Sequence, residues 1–133
     1  MTNVNQLNGL TLAYLGDAVI EERVRFYLVK NDQRAVNEQY LRSKSFVSAK
    51  AQAAFFKLMN EKNILTTEEQ DAFRLGRNAK SHTHAKNTNI VIYRISTGFE
   101  AMFGYLKFTD QNDRINQLID FCFQNQDNVE FIK

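Results

Sequence analysis

Apolar residues recur along this chain at steps of three and four, the period of helices that bury one face. Leu7, Leu10, Tyr14 and Ala18 follow one another at such steps, predicting a first helix over Val4 to Lys30. Asn31-Asp32-Gln33 reads as a turn, followed by a second helix from Ala35 to Arg42. The hydroxyls of Ser43 and Ser45, on either side of Lys44, predict a break before a third helix over Phe46 to Glu61. Val47, Ala51, Ala54, Phe55 and Leu58 form the apolar side of that helix. Thr66-Thr67-Glu68-Glu69 places Thr three residues before Glu, so that each side chain can bond the other's backbone N–H and start a fourth helix. That helix carries Ala72, Phe73 and Leu75 and ends near Gly76. A fifth is predicted from Ile90 to Phe108, and Asp110 with Asp113 opens a last one reaching Asn125. Sustained alternation of period two is absent, there is no proline, and glycines number five. The expected fold class is therefore all-α, a helical bundle forming one domain over residues 1–133.

A chain of 133 residues suffices for one core, and eleven Phe and five Tyr supply it. Cys122, between Phe121 and Phe123, is expected as a buried thiol that can make no internal disulfide. With no signal-peptide layout at the N-terminus and no apolar run near the roughly 20 residues that span a bilayer, a cytoplasmic protein with no membrane partner is expected. Net charge is only +2, but its distribution changes the picture. Gln39 to Asn60 holds no acid but has Arg42, Lys44, Lys50 and Lys57. Ala72 to Phe99 again holds none, with Arg74, Arg77, Lys80, Lys86 and Arg94 beside His82 and His84. Such segregation can attract a polyanion at little cost in net charge. The segment RNAKSHTHAKNTN, Arg77 to Asn89, has no periodicity and reads as a basic loop of thirteen residues, longer than most connections in a compact domain.

Two acids stand out against their surroundings. Asp17 follows Gly16 inside the first apolar helix, and Glu100 sits between Phe99 and Ala101-Met102-Phe103. Each can be read as a surface acid facing water, or as a carboxylate that needs a partner. Asp17 and Glu21, one turn apart, repel unless a cation intervenes, and Arg25 a further turn along offers one. His82, His84 and one distant cysteine cannot complete a structural zinc site. Without a Gly-rich phosphate loop or a nucleophilic triad, any enzymatic chemistry here would be that of a hard metal ion such as Mg²⁺ on carboxylates, which suits phosphodiester hydrolysis.

The segment LAYLGDAVIE around Asp17 resembles the signature of the ribonuclease III family, and STGFEAMFGY, Ser96 to Tyr105, resembles that family's second motif. FRLGRNA between them also fits, and with SFVSAKAQA and GRNAKS…KNT the chain resembles the compact bacterial branch, Mini-ribonuclease III, which has no separate domain for double-stranded RNA. The likeness covers Leu7 to about Phe123. The family usually gathers four acids in each active site, and two positions where its first motif carries an acid are filled here by Leu10 and Ala13. A third departure is Thr97, where the family has Asp. Asp17 and Glu100 match the metal-ligand positions, and the Mini branch shares this reduced set.

The resemblance implies a Mg²⁺-dependent endoribonuclease that cuts double-stranded RNA, with Asp17 and Glu100 catalytic and metal-binding, leaving 5′-phosphate and 3′-hydroxyl ends. It implies a homodimer, in which a two-fold axis presents one site to each strand. Tyr14 and Gly16 are expected at or near that interface: Gly16 where helices approach closely, and Tyr14 either across the dimer or as a core tyrosine of its own protomer. A-form RNA is read by shape, phosphates and 2′-hydroxyls. Lys44, Lys50, Arg74, Arg77, Asn78, Lys80 and Lys86 are the expected RNA-binding residues, with Lys57 a solvated helix charge. The branch further implies precursor 23S ribosomal RNA as substrate, with a ribosomal protein as a candidate presenting partner. The rival reading is a non-catalytic scaffold of the same fold that binds double-stranded RNA in ribosome assembly. Ala13 and Thr97 favour it, and the retained carboxylates oppose it.

Overall fold

The computed structural model describes residues 3–31, 35–80 and 89–129. Among these residues six α-helices form: α1 (Gly9–Asn31), α2 (Val36–Val47), α3 (Ala49–Glu61), α4 (Thr67–Arg77), α5 (Ile90–Phe108) and α6 (Asn112–Gln124). Short 3-10 turns stand at Val4–Gln6 and Gln126–Asn128. The all-α expectation holds, and the bounds of α5 coincide with those read from its apolar period. Thr66 and Glu69 form the reciprocal cap that starts α4, with bonds of 2.9 and 3.1 Å. The basic segment falls partly at residues 81–88, so Lys86, His82 and His84 lie outside the described residues.

Three boundaries differ from the sequence reading, each for a local hydrogen-bonding reason. The first helix is split: Val4–Gln6 is a separate turn, and α1 begins at Gly9 because the Asn8 side chain accepts from the Thr11 N–H at 2.8 Å. The break expected at Ser43-Lys44-Ser45 does not occur. Both hydroxyls donate back to carbonyls three residues earlier, Tyr40 and Arg42, each at 2.7 Å, so α2 continues to Val47. The interruption comes instead at extended Ser48, whose side chain caps α3. Asp110, expected to open the last helix, ends α5 in a left-handed turn at φ 58°, and α6 starts at Asn112.

Helix α5 lies at the centre and packs against α1, α3, α4 and α6. Phe99, Met102, Phe103 and Leu106 of α5 meet Val19, Ile20, Val24 and Leu28 of α1, Phe55 and Met59 of α3, and Ile115, Leu118 and Cys122 of α6. Each such side chain contributes about 1.5–3 kcal/mol when fully buried. Tyr27 stacks on Phe123 at 3.6 Å between ring centres, and Phe56 on Phe73 at the same separation. Burial pushes the Cys122 thiol well above its ordinary range, in keeping with an inert core residue.

Helix α1 is apolar on two sides, and the sequence stripe Leu10, Tyr14, Ala18 is the outer one. Leu12, Ala13, Gly16, Val19 and Ile20 are buried instead, while Tyr14 is 85% exposed. The core-tyrosine alternative for Tyr14 is thereby excluded. Leu75, expected on the apolar face of α4, is likewise exposed. Where α1 crosses α5, glycine is obligatory twice. A Cβ on Gly16 would overlap the carbonyl oxygen of Glu100, and one on Gly104 would overlap that of Leu12. Gly16, expected where helices approach closely, makes that approach inside its own chain, against the Glu100 backbone.

A second long-range tie joins α4 to α6. Arg114 donates to both oxygens of Glu69, at 2.7 and 2.9 Å, and to the Ile64 carbonyl at 2.6 Å. Burial alone would raise the Glu69 carboxyl, but Arg114 and the Thr66 cap outweigh it and hold the group below its ordinary value. Removing one member of a buried, bidentate pair costs about 3–5 kcal/mol, because the other charge is left without a partner.

On an exposed helix, alanine in place of glycine would stabilise by about 1 kcal/mol. At the α1–α5 crossing the sign should reverse: Gly16→Ala is expected to lose roughly 1–3 kcal/mol through overpacking. Thermal and urea unfolding followed by circular dichroism test this, and an unchanged or raised midpoint would contradict the crossing as described.

Candidate active site

The Gly16 contact has a direct chemical consequence. Because Gly16 rests on the Glu100 backbone, the next residue of α1, Asp17, is delivered beside the Glu100 side chain. The two carboxyls stand side by side, Asp17 exposed and Glu100 half-buried. Among the described residues neither forms an ion pair with a lysine or arginine. Burial pushes the Glu100 carboxyl up to about 9, and the negative field of Asp17 and, more weakly, of Glu21 adds to the rise. Glu21 is itself paired with Arg25 at 3.3 Å, as its spacing suggested.

One neighbour opposes that rise. Gln52 of α3, 1% exposed, places its carboxamide beside Glu100 and favours the charged form. Its carbonyl accepts from the Ser96 hydroxyl at 2.6 Å. Sequence reasoning passed over Gln52 because nothing local distinguishes it. The available signal was a long polar residue within the small, apolar run Ala51 to Phe55.

The basic residues divide into separate groups. Arg77, Asn78 and Lys80 line one groove of about 660 Å³ at the end of α4, together with Leu10, Ile90 and Val91. Arg94 of α5 joins them there, though it was not among the expected RNA-binding residues. Arg77 also lies 5.7 Å from the centre of the Phe73 ring, and its Nε donates to the Asn78 side chain at 3.2 Å. Arg74 is held by Asp71 at 2.7 Å. Lys44, over the Tyr40 ring at 5.0 Å, and Lys50 are exposed on α2 and α3 and do not line this groove. Lys57 meets Glu61 at 3.9 Å, as befits a solvated helix charge.

A family model, the Ribonuclease III domain, matches residues 10–111, a span that contains both acids and the groove. The chain belongs to the ribonuclease III family. Relatives named Mini-ribonuclease 3 cover nearly its whole length. That of Enterococcus faecalis is 46% identical over 93% of this chain and 94% of its own, and that of Streptococcus pneumoniae is 43% identical over 93% and 97%. Protein FN1578 from Fusobacterium nucleatum shares the fold, with a TM-score of 0.83 at 24% identity over 95% of this chain and 99% of that one. Membership of this ribonuclease III family makes the chain an endoribonuclease by type, in a family that acts on double-stranded RNA and generally uses a divalent metal.

The donor set accords with such an ion. Among the described residues no three His, Cys, Asp or Glu side chains gather as a metal cage. What is present is two carboxylates, both hard oxygen ligands, open to solvent on the Asp17 side. Mg²⁺ commonly binds through one or two carboxylates, keeping several waters and taking substrate phosphate oxygens. The positions that lack the family's other acids are filled structurally. Ala13 is buried against Leu12 and Ala101, and the Thr97 hydroxyl donates back to the Tyr93 carbonyl at 3.0 Å. Among the described residues no helix is long and apolar enough to cross a membrane.

The raised Glu100 carboxyl fixes a pH dependence for the metal-free protein. The native state holds a proton that the unfolded chain releases near 4.5, so stability falls as pH rises from there towards about 9. Glu100→Gln removes that dependence. In EDTA the variant is expected to melt higher than wild type above about pH 6, with the two curves converging towards acid. Parallel melting curves across that range would contradict the buried acid pair.

Proposed function

We propose that this chain is a Mg²⁺-dependent endoribonuclease that cleaves both strands of double-helical RNA. The observation that carries this reading is the meeting of Asp17 and Glu100, from two separate motifs, as an acid pair at the α1–α5 crossing with no basic partner among the described residues. Asp17 and Glu100 would hold the cation. When bound, Mg²⁺ lowers the pKa of a coordinated water and neutralises charge developing on the phosphate. Asp17, exposed, faces the substrate side, while Glu100 is steadied from behind by Gln52. Arg77, Asn78, Lys80 and Arg94 offer charge and hydrogen bonds to a phosphate backbone, and Lys44, Lys50, Arg74 and Lys86 are further candidates for phosphate contact. Phosphate contacts of this kind carry no sequence preference and suit a substrate recognised by shape. The products carry 5′-phosphate and 3′-hydroxyl ends. The natural substrate is the double-stranded stalk of precursor 23S ribosomal RNA in the cytoplasm, and a ribosomal protein is a candidate to present it.

The working unit in this reading is a homodimer. Tyr14, 85% exposed, and Leu10, 40% exposed, form an outward apolar stripe on α1 close to the acid that begins the site. Large exposed apolar side chains gathered on one face mark an interaction surface. A C₂ pair would set one acid site against each strand of an antiparallel duplex. Size measurement at micromolar concentration should give about twice the 15.5 kDa chain mass, and Tyr14→Asp should shift it towards the monomer. A monomeric wild type would count against the shared-duplex arrangement.

Cleavage of a long RNA duplex by wild type and Asp17→Asn, each in Mg²⁺ and in EDTA, tests the reading. Cutting is expected only for wild type in Mg²⁺, with Asp17→Asn reduced by at least about a thousandfold while still binding the duplex. Binding by both proteins with no cutting of either the duplex or a ribosomal stalk would favour the non-catalytic scaffold.

A further inference from the structure

The α3–α5 contact contains a feature that the acid pair alone does not require. Gln52 is 1% exposed on a stretch of α3 that is otherwise Ala51, Ala53, Ala54 and Phe55, all buried. A buried carboxamide is costly unless both its ends find partners. Its oxygen is taken by Ser96, at 2.6 Å. Ser96 and Glu100 lie one turn apart on α5, hence on the same face. A side chain anchored on the first therefore reaches the second. Because an ionised carboxylate only accepts, the anchoring of the oxygen by Ser96 leaves the NH₂ end to face Glu100.

We propose that Gln52 is a positioning residue for Glu100: its amide, held by Ser96, sets the carboxylate facing Asp17 so that both present oxygens to one cation. This rests on the reading of Asp17 and Glu100 as the cation-holding pair. Partners that orient a metal ligand typically change metal affinity or activity by about 10- to 100-fold when removed. An apolar core residue at position 52 would pack as well and orient nothing, so the two roles are separable. Gln52→Leu preserves bulk while deleting both hydrogen-bonding ends, and Ser96→Ala leaves the amide but frees it to turn.

The full-length chain carrying Gln52→Leu, Ser96→Ala or Asp17→Asn is compared with wild type in three measurements. These are melting in EDTA, the Mn²⁺ concentration that gives half the metal-induced rise in melting temperature, and kcat and KM on an RNA duplex. Gln52→Leu is expected to raise the Mn²⁺ midpoint and lower kcat by about 10-fold or more, with KM within about twofold. Ser96→Ala moves the same quantities in the same direction by less. A Mn²⁺ midpoint and kcat within about twofold of wild type for both variants, beside an inactive Asp17→Asn, would overturn the positioning role and leave the nuclease reading standing. Activity lost in step with the melting temperature in EDTA, at an unchanged Mn²⁺ midpoint, would also overturn it, as a packing role. If Gln52→Leu does not fold, Ser96→Ala decides by the same criteria. A wild type that neither cuts nor responds to Mn²⁺ would overturn both readings together.

Discussion

The structure depends on how closely α1 can lie on α5. Two helices carrying ordinary side chains keep their axes about 8–10 Å apart. Here Gly16 and Gly104 remove the intervening atoms at successive points, and backbone rests on backbone. The approach aligns the core on one side, where Val19 and Ile20 meet Phe99 and Phe103. On the other side it forces Asp17 against Glu100. The glycine that would weaken an isolated helix is thus the residue that assembles both the core and the acid pair.

That arrangement places an electrostatic tension inside a rigid frame. The backbone segments that carry the acids are held together at the Gly16–Glu100 contact. In the metal-free chain a proton on Glu100 relieves that tension. Gln52 tilts the balance towards the charged form, and Glu21, mostly satisfied by Arg25, tilts it slightly back. Open solvent on the Asp17 side and apolar packing behind Glu100 give the pair unlike surroundings. One carboxyl is free to exchange water, and the other is held.

What was legible in the sequence was what short-range chemistry decides. Thr66 and Glu69 announced the start of α4 because both halves of the cap lie within four residues, and the apolar period of Ile90 to Phe108 was long enough to fix α5. The Ser43–Ser45 break was misplaced because a serine hydroxyl can bond back to its own helix as readily as cap the next. The buried face of α1 was misassigned for a deeper reason: both Leu10–Tyr14–Ala18 and Leu12–Val19–Ile20 have helical spacing, and periodicity cannot say which side has a neighbour. Asp17 and Glu100, which the structure brings side by side, were picked out by their apolar surroundings and their motifs. Gln52, Arg114 and the groove side of Arg94 were not, since each acquires its role from a partner on another helix.

Helix α4 can also be viewed as a beam. Its eleven residues, about 16 Å long, are clamped at the acidic end by Arg114 on Glu69, and the opposite end carries Arg77 and leads to Asn78 and Lys80. That far end is gripped in turn: Gly76 lies against the Thr97 carbonyl and Gly98 of α5, and Gly9 of α1 lies against the Leu75–Gly76 backbone. The aim of the basic groove is thereby set from both ends of α4, by α6 at the end that lines none of it and by α1 and α5 at the other.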